Sequence, residues 1–198
     1  MARLIAFGDS YTTGLNKPDG ERYYVKSYIK FVADAFDLEL VNKAVDGNSN
    51  PVIATNVLNF KFEPDDKIFI CWSGLTRDFE WSTTPLGFVK PRFSNNRRHR
   101  NPHHCYFMSN MAIRATENFL TKNNLNYIMT SAFVIPDWLE DETWSNWITP
   151  TLKDICTKKL LEKCLHPNQE GHRKIANYIM EYVDETLFMG RKISSDKN

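Results

Sequence analysis

The sequence starts with a short apolar run that ends at a glycine, an aspartate and a serine. The run from Arg3 to Phe7 is shorter than an average helix, and its apolar character fits a strand buried in a sheet. Gly8 has no Cβ and allows a tight turn, so Ser10 is expected just beyond the carboxyl end of that strand. Open α/β sheets bind their ligands at this edge. We therefore predict that Ser10 marks the functional edge of a sheet.

Helix-like and strand-like patterns alternate along the remaining sequence. Apolar residues recur at helical spacing in several segments, and short continuous apolar runs lie between them. This alternation predicts an α/β protein of three layers, in which helices cover both faces of a flavodoxin-like parallel sheet. The predicted strands are 3–7, 38–42, 67–72 and 125–130, and the predicted helices are 21–36, 51–60, 105–123 and a last one that begins at Pro167.

The composition argues against several classes of protein. The 198 residues suit one domain with a continuous core, and 25 basic residues nearly cancel 24 acidic ones, so no global field favours a nucleic acid partner. No apolar run approaches the roughly 18 residues of a membrane span, and no signal-peptide core is visible, so we expect a cytoplasmic protein. The four cysteines are scattered without a CxxC pair, so we expect reduced structural thiols and neither a metal nor a cofactor.

A serine hydroxyl is a weak nucleophile at neutral pH and needs a base close to it in space. The strongest candidate is His166, which directly precedes Pro167 and a strong helical pattern. Proline suits the first position of a helix, because its φ is already helical and its missing N–H costs nothing there. His166 is therefore expected on a loop at the start of the last helix, where it is the candidate base for Ser10.

Two blocks of the sequence resemble the SGNH hydrolases, the family of GDSL-type esterases and lipases. The first is Gly8-Asp9-Ser10-Tyr11 after an N-terminal strand, and the last is His166-Pro167 followed by Gly171-His172 and a helix. The chain length and the apolar patterns predict a single domain over residues 1–190, followed by a polar tail at 191–198. The resemblance implies ester hydrolysis through a Ser10 acyl-enzyme, with His166 as the base. It also implies an oxyanion hole made by the N–H groups of Ser10 and Gly47 and by an asparagine amide.

The third block of that family departs from its pattern here. Where the family has glycine-x-asparagine after the third strand, the chain reads Trp72-Ser73-Gly74-Leu75-Thr76-Arg77, without an asparagine. The hydroxyl of Ser73 or Thr76, or the Arg77 guanidinium, is a candidate replacement donor. The alternative is that these side chains only satisfy backbone groups of a turn. Losing one oxyanion donor costs on the order of 10²–10³ in rate in a studied protease, so the replacement matters.

A second departure affects the base. Many members of the family place an aspartate three residues before the histidine, where it accepts a hydrogen bond from the imidazole. This chain has Lys163 there, and a charged lysine accepts no hydrogen bond and opposes imidazolium formation. Three replacements stay open: Glu162 turns inward, Asp154 approaches in space, or a backbone carbonyl holds the ring and leaves a Ser10–His166 dyad.

The stretch from Asp78 to His104 has no clear periodicity and carries a cluster of positive charge. We interpret it as a basic loop inserted into the domain, and long ordered loops often bind ligands. Its arginines are candidates to contact an anionic or sugar substrate or a partner surface, and a solvated loop is the alternative. The candidate residues are Arg97, Arg98 and Arg100.

Together these features favour a serine hydrolase of carboxylic esters, either an esterase or lipase or a carbohydrate O-deacetylase. Tryptophans among carboxylates at 131–150 fit a sugar substrate, although tryptophans more often pack in cores. Both departures also fit a catalytically inactive module of the same fold that binds or supports other molecules. Retention of Ser10 and His166 favours the enzyme, because a structural role requires neither. The sequence leaves the oligomeric state open.

Overall fold

The structure is a computed structural model with a parallel sheet of four strands at its centre. It describes residues 2–16, 21–75, 80–83, 89–92, 101–133, 146–156, 158–162 and 165–183. In chain order the strands are β1 (Arg3–Phe7), β2 (Leu15–Asn16), β3 (Tyr23–Tyr24), β4 (Glu39–Asn42), β5 (Lys67–Trp72), β6 (Glu80–Thr83), β7 (Val89–Arg92) and β8 (Asn126–Ser131). The helices are α1 (Ser10–Thr13), α2 (Tyr28–Ala35), α3 (Asn50–Leu58), α4 (Pro102–Lys122), α5 (Leu152–Ile155) and α6 (Gln169–Tyr182), with a short 3-10 helix at Lys158–Leu160.

The central sheet has the strand order β4-β1-β5-β8, and all its neighbours pair in parallel. This confirms the predicted parallel sheet. β1 is an inner strand, since Ile5 lies opposite Val41 on one side and Ile68 on the other. All six residues of β5 are buried, as expected for a strand with both faces covered. The carboxyl end of β1 therefore lies between the ends of β4 and β5, away from the outer strands of the sheet.

Helices cover both faces of this sheet, which confirms the three-layer arrangement. Successive side chains of a strand point to opposite faces, and accordingly Leu4 and Ala6 belong to one core cluster while Ile5 and Phe7 belong to the other. The first cluster is completed by α2 and α6, which pack together, and the second by α3 and α4. Among the described helices, none is long and apolar enough to cross a membrane.

The first crossover helix is shorter than predicted. The apolar spacing indicated a helix over 21–36, but α2 begins only at Tyr28, after its N-cap Ser27. Part of the preceding segment forms β3, which pairs antiparallel with β2. The Tyr24 hydroxyl also donates to the Asp46 carboxylate at 2.8 Å. Contacts distant in sequence thus hold this segment extended, and helical spacing alone does not reveal them.

Three further boundaries differ from the prediction because of strand pairing and helix capping. The predicted loop 78–104 contains β6 and β7, which form an antiparallel pair. α4 begins at Pro102 rather than Cys105, because the Asn101 side chain caps it by accepting from two backbone N–H groups. α6 begins at Gln169 rather than Pro167, because Asn168 is its N-cap and accepts from the Gly171 N–H at 2.8 Å.

Gly8 joins β1 to α1 where no side chain fits. A Cβ at this position would lie 2.3 Å from Thr12 Oγ1 and 2.9 Å from Thr12 Cβ. Thr12 is fully buried, and its hydroxyl shares a hydrogen bond of 2.7 Å with the Tyr28 hydroxyl. The threonine therefore has no free space to move into. The missing side chain at Gly8 lets α1 pack directly against the end of β1.

We expect Gly8→Ala to destabilise the protein by about 1–3 kcal/mol, the usual cost of forcing an extra carbon into a packed core. Urea unfolding followed by circular dichroism measures this free energy. Gly74→Ala is the matched control, because the nearest atom to a Cβ at Gly74 is Phe133 Cδ2 at 3.9 Å, an ordinary contact. Equal stability of the two variants would contradict the packing described here.

Candidate active site

Ser10 is the first residue of α1 and lies directly beyond β1. Its neighbour Asp9 caps the helix, with a carboxylate oxygen that accepts from the Tyr11 N–H at 3.0 Å. The Asp9 carbonyl also accepts from the N–H groups of Thr12 and Thr13. These bonds fix the backbone on both sides of Ser10, whose side chain is 4% exposed. The sequence therefore places a fixed hydroxyl at the sheet edge.

The structure brings His166 to this hydroxyl across 156 residues of sequence, with His166 Nε2 2.8 Å from Ser10 Oγ. This distance lies within the range expected of a nucleophile and its general base. When the imidazole proton is on Nδ1, Nε2 accepts the hydrogen bond from the serine hydroxyl. The pair predicted as nucleophile and base is thus in direct contact.

His166 lies at the end of a tight backbone turn. The Leu165 N–H donates to the Glu162 carbonyl at 2.8 Å, and the Glu162 N–H donates to the His166 carbonyl at 2.8 Å. Leu161 and Pro167 pair as an antiparallel bridge that closes the turn. Leu165 has φ of 63°, in the left-handed region that non-glycine residues seldom occupy.

Three consecutive carbonyl groups, those of residues 165–167, accept hydrogen bonds from other parts of the protein. The Tyr11 hydroxyl donates to the Leu165 carbonyl at 2.7 Å. The Glu162 N–H donates to the His166 carbonyl at 2.8 Å, and Asn16 Nδ2 donates to the Pro167 carbonyl at a longer 3.4 Å. The sequence analysis did not assign Tyr11 or Asn16 to the site. No local pattern could have done so, because both partners lie more than a hundred residues away.

Gly47 lies beside this centre in a turn over residues 45–48. The Asn48 N–H donates to the Val45 carbonyl at 3.2 Å, and Gly47 has φ of 79°. The turn is tied to the end of β1, because the Gly8 carbonyl accepts from the Val45 N–H and from Asn48 Nδ2. Within the described ranges, neither the Ser10 N–H nor the Gly47 N–H donates to another residue. The oxyanion role of these two amides stays a prediction.

Ser73, a sequence candidate for the oxyanion hole, has other partners in the structure. Its hydroxyl donates to the second carboxylate oxygen of Asp9 at 2.8 Å. Its N–H donates to Asn50 Oδ1 at 2.7 Å, and Asn50 Nδ2 donates back to its carbonyl at 3.2 Å. All three side chains are buried. Ser73 thus supports the Asp9 cap that precedes Ser10. The other candidate donors, Thr76 and Arg77, lie outside the described residues.

The two candidate acids for orienting His166 have distinct positions. The Asp154 carboxylate is exposed and accepts a hydrogen bond from the hydroxyl of Thr151, the buried N-cap of α5. Glu162 is half-buried, and its N–H holds the His166 carbonyl. Within the described ranges, no group of three or more His, Cys, Asp or Glu residues is placed to hold a metal ion. Several residues that the sequence analysis named lie outside those ranges: Arg97, Arg98, Arg100 and Lys163.

His172 lies in the core behind the site. It is fully buried on α6, its ring stacks on Tyr28, and its Nδ1 accepts from the Tyr28 N–H at 3.2 Å. Among the described residues, its Nε2 finds no hydrogen-bond partner. Burial, with a smaller effect of His166, lowers the pKa of His172 from 6.5 to about 4. His172 is therefore neutral in the folded protein and packs as a core residue.

His172 binds a proton more readily in the unfolded chain than in the folded one. It therefore makes stability fall as pH drops from 6.5 towards 4. The loss in the free energy of unfolding reaches about 3 kcal/mol near pH 4, since each pKa unit is worth about 1.36 kcal/mol. Urea unfolding at several pH values measures it. His172→Asn keeps an acceptor for the Tyr28 N–H but does not titrate, so we expect a shallower pH dependence. An unchanged slope in that variant would show that other groups are responsible.

Comparison with known proteins assigns the fold. No protein-family model matches the sequence, and no curated protein matches it. Solved structures do match. One is a protein described as lipolytic and of the G-D-S-L family, from Desulfitobacterium hafniense DCB-2, at 14% identity and a TM-score of 0.59, with 91% of this chain and 99% of that chain covered.

Two solved structures of esterases are also similar. The acetyl xylan esterase Est2A from Butyrivibrio proteoclasticus has 15% identity and a TM-score of 0.59, with 95% of this chain and 64% of that chain covered. The psychrotrophic esterase EstA from Pseudoalteromonas sp. has 13% identity and a TM-score of 0.57, with coverages of 91% and 95%. The chain therefore has an SGNH hydrolase-like fold, as the resemblance of its two end blocks implied.

Proposed function

We propose that this protein is a serine hydrolase that cleaves carboxylic esters, with Ser10 as nucleophile and His166 as base. The observation that carries the proposal is the 2.8 Å contact between Ser10 Oγ and His166 Nε2. Additional support comes from the fold, which is shared with structurally characterised esterases. A binding module of the same fold needs neither residue, whereas a hydrolase needs both in contact.

In the proposed reaction, Ser10 Oγ attacks the ester carbonyl carbon while its proton passes to His166 Nε2. The carbonyl oxygen becomes an oxyanion, and the free N–H groups of Ser10 and Gly47 stabilise it. His166 then gives its proton to the leaving alkoxide, which departs as an alcohol and leaves an acyl group on Ser10. A water molecule gives a proton to His166 and attacks this acyl group. The acid leaves, and Ser10 recovers its proton from His166.

Within this ester class, we propose O-acetyl groups on sugars as the first substrates to test. One structural neighbour is an acetyl xylan esterase. In this chain, the exposed ring of Tyr24 lies beside the Gly47 turn, since its hydroxyl donates to Asp46 at 2.8 Å. The same carboxylate accepts from the Thr13 hydroxyl at the end of α1. An aromatic face fixed next to the oxyanion amides is suited to stacking against a sugar ring.

Labelling with a fluorophosphonate probe tests for an activated serine. We expect the probe to modify Ser10 in the native protein, with peptide mass spectrometry locating the adduct. Ser10→Ala removes the nucleophile and His166→Ala its base, so both variants should lose labelling and lose on the order of 10⁴–10⁶ in kcat with an ester substrate.

His172→Asn is the matched control, because it changes a second histidine of the same segment that does not contact Ser10. This variant should keep its labelling near neutral pH. If the folded native protein does not react with the probe, the hydrolase proposal is wrong, and the inactive binding module becomes the better description. Labelling at a serine other than Ser10 would also contradict the proposal.

A further inference from the structure

We propose that the Tyr11 hydroxyl positions His166 for catalysis by fixing the peptide group that precedes it. This inference rests on the proposed function and adds a residue to its site. The observation is the 2.7 Å hydrogen bond from the Tyr11 hydroxyl to the Leu165 carbonyl. It links the residue after the nucleophile to the residue before the base, across 154 positions of sequence.

Tyr11 is itself held rigidly with respect to Ser10. Its N–H donates to the Asp9 carboxylate at 3.0 Å, and its side chain is 1% exposed. The ring packs edge-on against Phe133, with ring centroids 5.0 Å apart, and lies 5.7 Å from the His166 imidazole. A phenol ring has few internal rotations, so fixing the ring also fixes the hydroxyl. The donor therefore has a defined place relative to the nucleophile.

The acceptor of this bond, the Leu165 carbonyl, belongs to a residue whose backbone needs support to keep its conformation. Leu165 takes a left-handed conformation, with φ of 63°, which costs free energy for a residue with a Cβ. Its side chain is 58% exposed, so burial of the leucine does not account for this conformation. Two hydrogen bonds to its backbone hold it instead: the Leu165 N–H donates to the Glu162 carbonyl, and the Tyr11 hydroxyl donates to the Leu165 carbonyl.

Holding that carbonyl orients the base. The Leu165 carbonyl and the His166 N–H belong to one planar peptide group, which also contains the His166 Cα. A bond that fixes the carbonyl oxygen therefore also restricts the position of the His166 Cα, from which the imidazole side chain extends. The neighbouring carbonyls of His166 and Pro167 accept from Glu162 and Asn16. This backbone support restricts where Nε2 lies against Ser10, in a chain that has Lys163 where the resembling family has its orienting aspartate.

Tyr11→Phe tests the inference with the ring packing preserved. Tyr178→Phe is the matched control, because the Tyr178 hydroxyl on α6 makes the same kind of bond, to the Thr149 carbonyl at 2.7 Å, away from Ser10. We expect similar, small losses of thermal stability in both variants. Only Tyr11→Phe should slow fluorophosphonate labelling of Ser10 and lower kcat, by about 10-fold to 100-fold, because small misplacements of catalytic groups have effects of this size. KM should stay within about twofold.

A spectroscopic measurement separates positioning from loss of stability. We expect the imidazole NMR signals of His166, assigned with His166→Ala, to shift or broaden in Tyr11→Phe and to stay unchanged in Tyr178→Phe. Leu165→Asn should restore part of the lost rate in the Tyr11→Phe background, because asparagine adopts the left-handed conformation more readily than leucine. Should Tyr11→Phe alone fail to fold, the double variant should still label Ser10 more slowly than Tyr178→Phe, because Leu165→Asn restores only part of the rate.

The outcomes distinguish this inference from the proposed function. If the native protein labels at Ser10 and Tyr11→Phe labels as fast as Tyr178→Phe, the positioning role is overturned while the hydrolase stands. If the native protein does not label, the proposed function fails, and the His166 signals alone decide whether Tyr11 orients the ring. Unchanged His166 signals in Tyr11→Phe would overturn the inference in either case.

Discussion

The buried carboxylate of Asp9 connects the segments that meet at the functional edge of the sheet. One oxygen accepts from the Tyr11 N–H at the start of α1, and the other accepts from the Ser73 hydroxyl beyond β5. Ser73 is in turn bonded through its backbone to Asn50, at the start of α3. A buried carboxylate without such donors would be strongly unfavourable. The turn from β1 into α1 that carries Ser10 therefore keeps its shape only when the ends of β1 and β5 and the start of α3 are assembled together.

The segment that follows β1 and the segment before α6 also come together only in the assembled fold. α2 and α6 pack on one face of the sheet, which brings the segment before α6 against the segment that follows β1. Hydrogen bonds then run along this contact, from Ser10 to His166, from Tyr11 to Leu165 and from Asn16 to Pro167. The Gln169 side chain extends the line by pairing with both backbone groups of Lys26. Core packing brings these two segments together, and the hydrogen bonds between them determine which residues lie opposite each other.

The sequence predicted well where the signal was local. The strands 3–7 and 67–72 were predicted with the observed bounds, because each is an apolar run closed by turn or polar residues. It failed where a distant partner decides the structure. Tyr24 and Tyr28 have helical spacing, yet β3 pairs with β2 and only Tyr28 enters the helix. The left-handed Leu165 was equally hidden, since such positions usually carry glycine or asparagine. The bond that Tyr11 makes to it has no sequence signature.

The two departures from the resembling family take on a common meaning in the proposed mechanism. At the third block, the Ser73 hydroxyl donates to the Asp9 carboxylate that caps α1. It therefore supports the helix that carries Ser10 and does not act as an oxyanion donor. Before the base, where the family has an acid, the described contacts act on main-chain carbonyls of residues 165–167. At the first place the support reaches Ser10 through the Asp9 carboxylate, and at the second it acts on the backbone around His166. Fixing the backbone restricts where Nε2 lies, and a neutral imidazole so placed can accept the serine proton.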